Sequence, residues 1–137
     1  MTHASSPALA RADAAAREIE AFRRWIRGSG GRDLIETCHA IGGDVWRTRA
    51  RMARHSVLEG HHGPYVVRAR LQGPLRLLRL GQARRLPGIG GSTFVGIEPG
   101  SPQAKAVQTC IEHLERGLAA MQAALFAGVA LSRRAAR

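Results

Sequence analysis

Apolar residues recur at three- and four-residue intervals near both ends of the chain and at two-residue intervals in its middle. Near the N-terminus Leu9, Ala12, Ala16, Ile19, Phe22 and Ile26 keep helical spacing. They predict a helix from Pro7, with Ser6 as N-cap and the proline at the first helical position, after a loose start over 1–6. Gly28-Ser29-Gly30-Gly31 should end it, because glycine adopts the left-handed turn after a helix at least cost. Leu34, Ile35, Cys38, Ile41, Val45 and Met52 make a second stripe. Gly42-Gly43 followed by Asp44 splits that stripe into helices over about 33–41 and 45–58, with Asp44 as N-cap. The strongest pattern is the last. Val107, Ile111, Leu114, Leu118, Met121 and Leu125 alternate steps of four and three, the spacing of a heptad seam. Ser101 as N-cap and Pro102 at the first turn open a helix over 101–132.

The period changes between these blocks. Tyr65 to Leu71 and Leu75 to Leu80 read as two strands joined by Gln72-Gly73-Pro74, and Ser92 to Ile97 as a third. In that register Tyr65, Val67, Ala69, Leu71, Leu75 and Leu77 share one face, and Arg68, Arg70 and Arg76 share the other. The expected fold is therefore α+β, a single domain over 1–137. N-terminal helices (7–58) and a long C-terminal helix (101–132) would pack on a small antiparallel three-stranded sheet (65–97).

Charge gives this outline a direction. The net charge is +11 and the sequence pI about 11.6. Between Val45 and Ile97 stand ten arginines and one acid, Glu59, so +9 of the excess is local. Such a field points to a polyanionic partner, DNA or RNA first and an anionic membrane surface second. Aromatic content of 4% argues against a single-strand binder that relies on stacking platforms. The first twenty residues contain acids and no hydrophobic segment of the secretory kind, and the apolar run Gly117–Leu131 is shorter than the roughly 20 residues of a membrane span. The expectation is a cytoplasmic protein with Cys38 and Cys110 as buried free thiols.

Candidate reaction chemistry is sparse. Cys38-His39 and the Cys110/His113 pair offer metal-ligand residue types, but no spacing of the CxxC kind accompanies them, so no metal is expected. Glu59, His61 and His62 form an acid–base cluster without a companion nucleophile motif. The loop Gly88-Ile89-Gly90-Gly91-Ser92-Thr93 lacks the lysine of a phosphate-binding loop and leads to a strand. No cofactor is implied.

The arginines remain. Arg47, Arg51 and Arg54 would form a ridge on the second helical block, Arg68, Arg70 and Arg76 one face of the hairpin, and Arg84 and Arg85 the adjoining loop. If these surfaces face the same way, they would neutralise several phosphates and release counterions. The reading is a non-enzymatic nucleic-acid-binding protein that uses these eight residues as phosphate contacts. The alternatives are an interaction module, a homodimer through the 107–125 seam, and a small enzyme using Glu59, His61 or His62.

Trp25, the stretch Gly28-Ser29-Gly30-Gly31-Arg32-Asp33-Leu34, Gly90-Gly91-Ser92-Thr93-Phe94, and Glu112 with Leu114-Glu115-Arg116 and Met121 resemble a family of small proteins. The family is encoded on integrating conjugative elements of proteobacteria and is sometimes labelled integrase regulators. The resemblance implies a bacterial, cytoplasmic setting near DNA transactions. It carries over no functional residue, since the family has no established site.

Overall fold

A computed structural model describes residues 7–60, 63–83 and 95–135, with side chains as far as residue 128. It contains five helices: α1 (Pro7–Arg27), α2 (Ser29–Gly42), α3 (Asp44–Glu59), α4 (Pro64–Ala83) and α5 (Pro102–Ala135). Among the described residues there is no strand. The fold is all-α, and this corrects the α+β expectation.

The correction centres on α4. The expected hairpin, turn included, is one helix of 20 residues with Pro74 inside it. Its buried residues Val67, Leu71, Pro74, Leu75 and Leu78 follow helical spacing. Val67 and Leu71 also satisfy an alternating pattern, which is why the two periods could be confused. Proline at 74 donates no hydrogen bond to the carbonyl four residues back and normally breaks a helix. Here packing holds the helix through that gap. α4 is flanked by α3 and α5, and Gly73 leaves room for the Trp46 ring, which would lie 3.4 Å from a Cβ at that position. The third strand is corrected too: residues 95–97 lack regular structure, and 92–94 lie outside the described residues.

The other helices follow the sequence closely. α1 and α2 are separated by Gly28 alone, so the glycine cluster marks a sharp elbow and α2 starts four residues before the expected 33. The break at Gly42-Gly43 is present, with Gly43 at φ 79°. Gly43 itself is the N-cap position of α3, and Asp44 instead accepts a hydrogen bond from His39 Nε2 at 3.1 Å, tying α2 to α3. At the start of α5, Ser101 Oγ accepts the Ala104 amide at 3.1 Å, as its N-cap role requires.

α5 is the axis of the bundle. It runs antiparallel to α1, as the Trp25–His113 ring stack and the Phe22 ring over Gly117 show. It also runs antiparallel to α4 along a row of polar pairs: Arg68 with Gln122, Arg79 with Glu115, and Gln82 with Gln108. Of the predicted seam, Val107, Ile111, Leu114 and Met121 are buried in the core, and Leu118 and Leu125 are half-buried. The segment before α5 closes one end. The Val95 amide donates to the Ile41 carbonyl at 2.9 Å and the Ile97 amide to the Gly81 carbonyl at 3.0 Å. The last turns of α2 and α4 thereby gain donors that their own helices cannot supply, and the Ile97 side chain is buried beneath.

Candidate nucleic-acid interface

Six of the eight candidate arginines lie in described helices; Arg84 and Arg85 lie outside the described residues. Four of the six are committed to the fold. Arg54 reaches from α3 to the end of α1, where Nε donates to the Ile26 carbonyl and Nη2 to the Arg27 carbonyl, both at 2.9 Å. The reverse contact also exists. Arg23 of α1 donates to the Val57 carbonyl at 2.8 Å and the Leu58 carbonyl at 3.2 Å, at the end of α3. Each helix terminus thus receives a cation where unpaired carbonyls and the helix dipole favour one.

Arg47 lies 3.8 Å from the Glu36 carboxylate on α2, and its Nε is buried. Arg68 donates to Gln122 Oε1 at 2.6 Å and likewise buries Nε. Arg70 donates to the hydroxyl of Ser56, a fully buried serine on α3. The stems of these three pack against neighbouring helices, so part of their role is to cover apolar surface.

Arg51 and Arg76 are exposed, as is Arg49, whose guanidinium lies 4.7 Å from the Trp46 ring centroid. Helical geometry changes their grouping. At about 100° per residue, Arg70 points roughly 160° away from Arg68, whereas Arg76 stays within about 80° of it. Arg68, Arg76 and Arg79 turn towards the α4–α5 side, while Arg70 turns to α3. Arg47 and Arg54 turn to α2 and α1. The expected common face of Arg68, Arg70 and Arg76 does not form, and the six described candidate arginines do not share one surface. The signal that could have shown this is Pro64, a proline well suited to a first helical turn just ahead of the arginine-rich stretch.

The other candidate groups sit as follows. Glu59 is exposed at the end of α3, 3.8 Å from His55 Nδ1, and His61 and His62 lie outside the described residues. Cys38 and Cys110 are buried free thiols. Burial, and then the neighbouring Cys110 thiol, pushes Cys38 up to about 12. Burial raises Cys110 to about 11 against a lowering hydrogen bond from Thr37. Both are poor nucleophiles and poor metal ligands in that state. Among the described residues no group of three or more His, Cys, Asp or Glu side chains could hold a metal ion. No described helix is long and apolar enough to cross a membrane.

His113 stacks on Trp25 with ring centroids 4.5 Å apart and planes 8° from parallel. Partial burial there, and then the Arg116 charge, lower its pKa from the ordinary 6.5, against an opposing pull from Glu112. The folded protein therefore resists protonation that the unfolded chain accepts. The His113 contribution to stability should be constant above about 6.5 and fall as the pH drops below it, until His113 is protonated in the folded state too. An NMR titration of the His113 ring set beside urea midpoints at pH 7.5 and 5.5 checks this. His113→Gln should flatten that part of the pH profile.

No protein-family model, curated protein or solved structure matches the chain.

Proposed function

We propose that this protein is a non-enzymatic, sequence-independent nucleic-acid-binding protein that contacts phosphates from the outward arginines of α3 and α4. The observation that carries the reading is the net charge of +11, with Arg51 and Arg76 exposed and making no ion pair with a described residue. Arg49 and the partly engaged Arg68 and Arg79 add to the field around them. Exposed arginines on the outer sides of two helices suit a backbone that lies across the bundle. Such contact is electrostatic, steep in salt and weak in base discrimination. The setting consistent with this is a bacterial cytoplasm, on a mobile element of the kind the sequence resembles.

The test is a salt titration of binding to labelled single- and double-stranded oligonucleotides, followed by fluorescence anisotropy. Two to three neutralised phosphates predict a log–log slope of about −2 to −3 on duplex. Arg51→Ala and Arg76→Ala should each reduce that slope by about 1 and leave thermal unfolding unchanged. Absence of binding at low salt removes the reading.

A further inference from the structure

α4 and α5 face each other across a groove of about 590 Å³, lined by Gln72, Leu75, Arg76 and Arg79 of α4 and by Glu115 and Leu118 of α5. Gln72, Arg76 and Arg79 stand at i, i+4 and i+7, so they share one side of α4 over about 10 Å of its axis. Leu75 and Leu118, buried and half-buried, form the floor between the helices. Polar pairs close the rest of this seam: Arg68 on Gln122 towards one end, Arg79 on Glu115 and Gln82 on Gln108 towards the other. Gln72 and Arg76 break the row. Both are exposed, and neither side chain makes a hydrogen bond or ion pair with a described residue. The α5 residue that lines the groove at their level is Leu118, which offers them no acceptor.

We propose that this groove seats a backbone phosphate of a nucleic acid, held by Arg76 and Gln72, and that Glu115 competes with that phosphate for Arg79. The proposal rests on the nucleic-acid reading and assigns one of its contacts to a built place. Arg76 supplies a cation with a fork of N–H donors, and the Gln72 amide supplies neutral donors one turn away. Arg79 places Nη2 on Glu115 at 3.0 Å, but both side chains are about half exposed. An exposed pair of this kind contributes little to stability, so an arriving phosphate can take the guanidinium over. The exchange leaves Glu115 beside a second anion, and the two repel. Glu115 therefore holds the affinity of the groove below what its arginines alone would give. A base edge carries no negative charge to match two guanidinium groups, so the groove takes backbone and reads no sequence.

The test is binding of a labelled duplex oligonucleotide, followed by anisotropy across a salt series. Glu115→Gln should tighten binding about three- to fivefold. Glu18→Gln makes the same charge change in the groove between α1 and α5. It should tighten binding by less than about 1.5-fold at about 0.1 M salt, where charges more than about 10 Å apart are screened. Gln72→Ala should weaken binding about fivefold and leave the salt slope unchanged, since a neutral donor releases no counterion. Unfolding midpoints of all three variants should match the parent, because the changed side chains are exposed. If the parent binds, Glu115→Gln no tighter than Glu18→Gln, or Gln72→Ala equal to the parent, overturns the seat and leaves the nucleic-acid reading standing. A parent that does not bind at low salt removes both. Inorganic phosphate at matched ionic strength should compete only weakly; competition equal to that of unlabelled oligonucleotide, phosphate for phosphate, would assign the groove to a free phosphate compound and overturn the proposal. Polyglutamate whose binding Gln72→Ala weakens to the same extent would assign it to an acidic protein and overturn it as well.

Discussion

Gly31→Ala is expected to destabilise the protein by about 3 kcal/mol or more, the upper end of what overpacking costs. A Cβ at Gly31 would lie 1.9 Å from the Ile26 carbonyl oxygen and 2.6 Å from Arg54 Nε. The first of these contacts is backbone and cannot turn aside. The elbow between α1 and α2 would have to open, and opening it moves the carbonyls that Arg54 holds. A chain of this length should lose roughly 10 °C of thermal midpoint. Gly128→Ala is the control. A Cβ there meets nothing within 4 Å, and in a helix interior the change should stabilise by about 0.5–1 kcal/mol. Calorimetry or urea unfolding of both variants decides the matter, and a Gly31→Ala midpoint equal to that of the parent would show that the elbow is not closely packed.

Arg54→Met is expected to lower stability by about 2–3 kcal/mol, whereas Arg51→Ala should change it by less than about 0.5 kcal/mol. The two residues are neighbours on one helix and look alike in the sequence. Arg54 makes two hydrogen bonds from a charged donor to carbonyls at the end of α1, and methionine keeps its stem while removing both. The Ile26 carbonyl then loses its donor in a partly buried place; the Arg27 carbonyl is exposed and can turn to water, which keeps the loss below the sum of two full bonds. Arg51 is exposed. In the oligonucleotide titration the ranking should reverse: Arg51→Ala flattens the salt slope, and Arg54→Met leaves it nearly unchanged below its unfolding midpoint. Equal stability of the two variants would mean that the Arg54 clamp contributes little.

That contrast shows how much of the candidate site the sequence disclosed. The bias was plain, because charge is additive and needs no geometry. The division of labour among arginines was not, because a guanidinium that caps a helix and one that faces a phosphate have the same residue type and the same helical spacing. Which carbonyls lie within reach of Arg23 and Arg54 depends on how α1 crosses α3, a tertiary fact. The fold divides along a similar line. α1, the α2–α3 break and α5 were legible because prolines, glycines and four-three spacing agreed with one another. α4 was misread because Gly73-Pro74 is strong local evidence for a turn, and packing between α3 and α5 overrides it. With the hairpin went the shared face of Arg68, Arg70 and Arg76, since a period of two and a period of 3.6 send the same residues to different sides.

The crossed contacts of Arg23 and Arg54 couple two helix ends. α1 ends at Arg27, but a donor for its last carbonyls sits at position 54, and α3 in turn ends on a side chain from position 23. Until α1 and α3 pack, the last carbonyls of both helices must turn to water. The two ends are therefore expected to open together, and amide hydrogen exchange at the ends of α1 and α3 should rise in step in Arg54→Met.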